Sequence, residues 1–160
     1  MITLYRVDDR LIHGQVQTKW ISTAGAKKII VVDDKTSKDP VALQILKIAA
    51  PVNIGLEVCN EVTGLERIRQ EEESPAKVMV LFKSILTAKH LIEQGLEMKE
   101  INVGPVSAKP NARMIVKNTY FIPEEIEAAN FIAGKGVKVF FQLVPDDSKE
   151  EWVSVSKKIK

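Results

Sequence analysis

"ITLYRVDDRLIHGQVQTKWISTA", residues 2–24, decides the fold. Ile2–Val7 is a β-rich, apolar run that reads as a strand, and Gly14–Ala24 carries Val16, Trp20 and Ile21 at helical spacing. The turn between them holds Asp8, Asp9, Arg10 and His13, one of the chain's two histidines. A strand that hands straight to a helix is the first half of a βαβ unit, and the rest of the chain repeats the alternation. "KKIIVVDD" (residues 27–34) is an unbroken apolar strand of the kind covered on both faces. Ser37 is then placed to cap a helix over residues 39–49, with Pro40 in its first turn and Pro51 ending it.

"VNIGLEVC" (52–59) reads as a third strand, and Asn60 caps a helix reaching about Glu72. "AKVMVLF" (76–82) is a fourth strand, followed by a helix over 84–94 that Gly95 closes. "EINVG" (100–104) gives a fifth, residues 105–112 form the one Pro/Gly/Ser-rich loop, and "RMIVKNTYFI" (113–122) gives a sixth. Pro123 opens a helix that ends near Gly134, "VKVFFQLV" (137–144) is a seventh strand, and residues 149–160 are a short helix or a loose end. The expectation is a single α/β domain over residues 1–160: an open, mainly parallel twisted sheet of about seven strands with helices on both faces.

Bulk properties narrow the function. A chain of 160 residues buries roughly 70% of its unfolded surface and needs no disulfide or metal to fold. Net charge of +2, with "KKIK" the longest basic run, argues against a nucleic-acid binder working by counterion release. One cysteine, Cys59, excludes an internal disulfide and fits a reducing compartment. The early charges of "MITLYRVDDR" leave no signal-peptide core, and no apolar run reaches the roughly 20 residues of a membrane span. A cytoplasmic protein is expected.

In parallel sheets ligands bind outside the carboxyl ends of the strands, near the reversal of strand order. "VDDRLIHG" leaves the first strand at that end, which makes it the place for chemistry. His13 precedes Gly14 at a helix N-terminus, where free amides and the helix dipole favour an anion, and Arg10 lies three residues upstream. A neutral imidazole beside such a cradle, formed by Gly14, Gln15 and the following amides, is a good acceptor for a phosphoryl group. The plainer reading, a histidine that caps a helix or packs beneath a loop, stays open on spacing alone. Arg6, Asp8, Asp9 and Arg10 read either as a surface ion-pair cluster or as support, with Asp9 the acid expected to brace Arg10 or orient the His13 ring. Leu11 is expected to be a partly exposed interface residue and Trp20 a core residue.

Other candidates are weaker. Asp33, Asp34 and Lys83 evoke the acid pair and lysine of a receiver domain phosphorylated on aspartate, but Cys59 and Asn60 occupy the place of the phosphoacceptor. The two acids therefore read as solubilising loop residues. Cys59 lacks the arginine six residues on that a phosphatase loop needs, since Leu65 is there. His90 has no metal-spaced partners, so no metal is expected, and no dinucleotide or P-loop motif implies a cofactor.

"RVDDRLIHGQVQTKW" resembles the N-terminal signature of IIB subunits of the mannose/fructose/sorbose family of the bacterial sugar phosphotransferase system. "VVDD", "LKIAAPVNIGLEV", "VLFKS", "INVGP" and "GVKVFFQLVPDD" follow in the order associated with that family, over the whole length. Pro105 departs from the pattern, which has a second glycine there, and the following "SAKPNARM" is poorer in glycine than is usual. The resemblance implies a phosphocarrier with an open seven-stranded parallel sheet. His13 would accept a phosphoryl group on Nδ1 from a phosphohistidine of a IIA protein or domain. It would pass the group to a sugar held by membrane-embedded IIC and IID subunits, with Arg10 stabilising the phosphoryl charge. It also implies cytoplasmic placement, peripheral to the membrane through those subunits and without insertion of its own.

Overall fold

β1 (Ile2–Val7) hands to α1 (Gly14–Ala24), and β2 (Lys28–Val32) to a single-turn helix α2 (Asp34–Ser37) and then α3 (Pro40–Ala49). β3 (Gly55–Cys59) leads to α4 (Glu61–Glu72), and β4 (Val78–Phe82) to α5 (Ile85–Glu93). β5 (Glu100–Val103) is followed by β6 (Arg113–Val116) and β7 (Thr119–Phe121), then by α6 (Pro123–Gly134) and β8 (Lys138–Phe141). β9 (Glu150–Glu151) and α7 (Trp152–Ser156) complete the chain. This computed structural model describes residues 1–159, and the side chains of Gln15, Val16 and Gln17 lie outside the described residues.

The sheet has seven strands in the order β3-β2-β4-β1-β5-β8-β9, parallel throughout except for β9, which runs antiparallel to β8. Its inner strands are apolar on both faces because helices cover both, and successive residues feed two separate cores. Ile30, Val32, Val80 and Phe82 pack with Ile68, Leu91 and Ile132 of α4, α5 and α6. Ile29, Val31, Met79 and Leu81 pack with Trp20 and Ile21 of α1 and Leu46 of α3. The α/β architecture and the parallel seven-stranded sheet are as expected, but the membership of the sheet is not.

"RMIVKNTYFI" is a β6–β7 hairpin with its own two-stranded sheet, because Asn118 takes a left-handed conformation (φ 67°) and turns the chain back. The seventh strand comes instead from the C-terminal segment. That segment is anchored by Trp152, which is buried against Phe121 and Phe141 with ring centroids 6.3 and 6.2 Å away. Its indole Nε1–H donates to Asn130 Oδ1 at 2.9 Å. The cap of α3 is Asp39, whose Oδ1 accepts the Val41 and Ala42 amides, and not Ser37, which ends α2. Trp152→Ala is expected to cost about 3–5 kcal/mol of stability, read as a fall in the urea midpoint.

Candidate functional site

β1 lies where strand order reverses, with β4, β2 and β3 on one side and β5, β8 and β9 on the other. Its carboxyl end therefore opens at a switch point, and the loop that leaves it is tied to both neighbours. The Asp8 amide donates to Phe82 O at 3.0 Å, and the Gly104 amide donates to Val7 O at 2.7 Å. The chain then turns tightly, with the Leu11 amide bonded to Asp8 O and Leu11 itself left-handed at φ 56°. This conformation directs Leu11 and Ile12 into the core, 7% and 4% exposed. Leu11 is thus a core residue, not the partly exposed interface residue expected. Trp20 is in the core as expected.

His13 is the N-cap residue of α1, extended at φ −157° and ψ 136°, and its side chain makes no capping bond. Gly14 follows at φ +45°, a conformation that L side chains adopt rarely, with open space around its Cα. The His13 side chain is 16% exposed, and its Nε2 lies 3.2 Å from Asp8 Oδ2. A carboxylate can only accept, so in the neutral imidazole this contact places the proton on Nε2 and leaves the lone pair on Nδ1. Asp8 Oδ1 accepts the Arg10 amide at 3.0 Å, so one buried carboxylate fixes both the ring and the turn.

The acid against His13 is Asp8, not Asp9, because Asp8 opens the turn closed by the Leu11 amide and Asp9 lies within it. Asp8 meets Arg6 and His13, and Asp9 meets the Ser107 amide instead. Asp9 Oδ2 accepts the Ser107 amide at 2.7 Å, while Oδ1 is buried and unpartnered among the described residues. Asp9 therefore fastens the 105–112 loop, which Lys109 also anchors through its 2.7 Å ion pair with buried Glu125. The Arg10 side chain is exposed and in no ion pair among the described residues.

Beneath Asp8 lies Arg6, 1% exposed. Its Nη1 donates to Asn102 Oδ1 and to Gln142 O (3.1 Å), and its Nη2 to Leu143 O (3.2 Å) and Asp8 Oδ2 (3.5 Å). The guanidinium stacks 4.6 Å from the centre of the Trp20 ring, whose Nε1–H shares Leu143 O at 2.9 Å. Burial pulls the Arg6 pKa down to about 10 against the opposing pull of Asp8, which leaves it charged at neutral pH. Gly104 exists for this arginine: a Cβ there would stand 2.6 Å from Arg6 Cζ. The glycine of "NVGP" thus makes room for a buried cation, a role that spacing alone does not reveal. Asn102 and Gln142 belong to the same support, and only their polarity within apolar strands marks them in the sequence.

The remaining candidates stand apart. Lys83 is exposed just past β4, beside the carboxyl end of β1. Asp33 and Asp34 are not free solubilising acids: Asp33 caps α2 through the Thr36 amide, and Asp34 accepts the Glu61 amide at 2.7 Å. Cys59 is buried, and desolvation pushes its thiol pKa up, which makes it unreactive. His90 is a surface residue with Nδ1 3.0 Å from Glu61 Oε1. Among the described residues, no group of His, Cys, Asp and Glu is arranged to hold a metal, and no helix is long and apolar enough to cross a membrane. The Gln15 side chain lies outside the described residues.

The family model for the sorbose-subfamily IIB component of the phosphotransferase system (PTS) matches residues 2–160. The chain is 30% identical over 158 residues to the PTS fructose-specific EIIB component of Bacillus subtilis strain 168, covering 99% of this chain and 97% of that protein. It is 31% identical over 151 residues to the N-acetylgalactosamine-specific phosphotransferase enzyme IIB component 1 of Escherichia coli K12, covering 94% and 95%. The crystal structure of the IIBSor domain of the sorbose permease from Klebsiella pneumoniae matches with a TM-score of 0.94 at 28% identity, over 100% of this chain and 98% of that one.

Gly104→Ala is expected to cost about 1–3 kcal/mol by overpacking against a guanidinium that cannot move aside. Urea titration followed by fluorescence reads the cost. The same variant is expected to shift emission in the folded state, because Arg6 stacks on Trp20.

Proposed function

The chain belongs to the sorbose subfamily of phosphotransferase-system IIB components, and from that membership and the geometry of the β1 loop we propose that His13 is its phosphoryl carrier. The observation that carries the proposal is the 3.2 Å contact of His13 Nε2 with the buried Asp8 carboxylate. In the neutral ring it sets the tautomer with Nδ1 unprotonated, so that nitrogen can act as a nucleophile without a base to activate it.

A IIA phosphohistidine is the donor. As the two rings approach in line, the P–N bond of the donor breaks and a P–N bond to His13 Nδ1 forms. The positive charge that develops on the His13 ring is answered by Asp8 at Nε2. The exposed Arg10 guanidinium turns to the transferring oxygens, where its planar fork matches two of them. The Gly14 and Gln15 amides at the start of α1 complete the cradle, assisted by the helix dipole.

In the second transfer the P–N bond of His13 breaks and a P–O bond forms on a hydroxyl of a sugar held by membrane-embedded IIC and IID subunits. The hydroxyl proton leaves to solvent or to a base on that side, and His13 returns neutral with Nδ1 free. The protein then acts as the IIB component of a protein-phosphohistidine–sugar phosphotransferase, in the cytoplasm and against the membrane subunits. Phosphorylation on aspartate, as in a receiver, is not favoured, because Asp33 and Asp34 are engaged with backbone amides and Cys59 is buried.

His13→Ala is expected to abolish labelling by phosphorylated IIA with the circular dichroism spectrum unchanged, and retained labelling would overturn the assignment. Arg10→Gln is expected to slow transfer about 10- to 100-fold with little loss of stability, since the exposed side chain supports charge only during the reaction. Rapid-quench transfer from phosphorylated IIA measures it, and an unchanged rate would leave Arg10 no part in the chemistry.

A further inference from the structure

Arg6 and Asp8 form an ion pair that water does not reach, with side chains 2% and 1% exposed. The other acceptors of the guanidinium are neutral: Asn102 Oδ1 and the carbonyls of Gln142 and Leu143. Among the described residues Asp8 is the one carboxylate paired with Arg6, so one buried positive charge faces one buried negative charge. The pair is not closed on itself. The Asp8 oxygen that meets Arg6 Nη2 at 3.5 Å is also the oxygen that meets His13 Nε2 at 3.2 Å. One shared atom therefore couples the guanidinium to the imidazole.

A lone buried carboxylate at Nε2 would do two things to a histidine. It would hold the ring, and it would stabilise the imidazolium, which carries a second proton on Nδ1. A protonated Nδ1 has no lone pair to offer phosphorus. Orientation and nucleophilicity thus conflict, and burial sharpens the conflict because a low dielectric strengthens the attraction. A cation behind the acid relieves it. Its charge offsets that of the carboxylate, while Asp8, the nearer group, keeps the hydrogen bond to Nε2. Arginine suits the place, since burial lowers its pKa only to about 10 and leaves it charged at neutral pH.

The other charged groups around the loop do not substitute for Arg6. Arg10 in the turn, Lys83 past β4 and Lys19 on α1 are exposed, where water and salt screen them. Asp9 is turned to the Ser107 amide, and Lys109 is paired with Glu125. β5 and the chain beyond β8 supply uncharged groups, Asn102, Gln142 and Leu143. We propose that Arg6 is a positioning residue for phosphoryl acceptance at His13, offsetting the charge of Asp8 so that the carboxylate orients the ring without drawing a second proton onto Nδ1. Its purpose rests on the phosphoryl-carrier reading, whereas the protonation of the ring is measurable without any transfer.

The test is a proton NMR titration of the chain's two histidines, with the signal missing from His13→Ala assigning His13 and surface His90 as the internal standard. Arg6→Gln is expected to raise the His13 midpoint by about one pH unit or more. Arg6→Lys keeps the charge but not the planar fork, so it is expected to melt lower with a midpoint close to that of the wild type. Arg6→Gln/Asp8→Asn removes both charges and is expected to return the midpoint towards that of the wild type. Where Arg6→Gln does not fold, Asp8→Asn and the double variant make the same comparison without a lone buried carboxylate, and the lower midpoint is expected in Asp8→Asn. A midpoint that does not move on loss of the Arg6 charge overturns the proposal and leaves the arginine a purely structural part. Labelling by phosphorylated IIA, followed against pH, is expected to lose its acid side at a higher pH in Arg6→Gln than in the wild type. Absence of labelling in the wild type overturns the carrier reading and with it the purpose assigned to Arg6. Labelling whose pH profile is the same in both proteins overturns the proposal alone.

Discussion

A guanidinium beneath the carboxyl end of a parallel sheet must have its charge answered where water does not reach. Arg6 is answered by Asp8, by the carbonyls of Gln142 and Leu143, by the Asn102 amide oxygen and by the face of Trp20. Only a planar fork serves all of these at once, so a lysine could not replace it. The pair is costly to break, because a lone buried Asp8 or Arg6 would be an unanswered charge worth about 3–5 kcal/mol. Three separate segments are thereby held in one arrangement: β1, the end of β5 and the chain beyond β8. The loop bearing His13 inherits its position from that arrangement.

Asp8 connects this support to the surface. One of its oxygens faces Arg6 and His13, and the other holds the Arg10 amide. The negative charge that satisfies the buried cation is thus the one that orients the imidazole. Asp9, its neighbour in sequence, lies in the turn and fastens the 105–112 loop through Ser107. Two adjacent acids have separate duties because the chain leaves β1 and turns between Asp8 and Leu11.

Much of this was legible in the sequence. β1, α1, β4, α4 and α6 follow from periodicity, from Asn60 as a cap and from Pro123 at a first helical position. The placement of His13 at the helix start followed from Gly14. What escaped depends on distant partners. The β6–β7 hairpin looks like one strand because Lys117 and Asn118 carry no glycine to announce the turn, and Asn118 takes the left-handed conformation itself. β9 has two residues, too few for any period, and forms because Trp152 docks the chain beside β8. The division of labour between Asp8 and Asp9, and the claim of Arg6 on Gly104, exist only across β1, β5 and β8.

If His13 carries the phosphoryl group as proposed, the way its loop is fastened bears on how quickly the protein can change partners. Backbone bonds from Asp8 to β4, from Gly104 to β1 and from Leu11 across the turn hold the loop before any partner arrives. Backbone that is already hydrogen-bonded surrenders little ordering entropy at an encounter. A preformed surface can associate near the rate that orientation and electrostatics allow, and its residence time is left to the few side chains around the histidine. On the proposed role of His13, a loop fastened in this way favours throughput: a contact can be brief and weak yet still productive, because Asp8 already holds the ring.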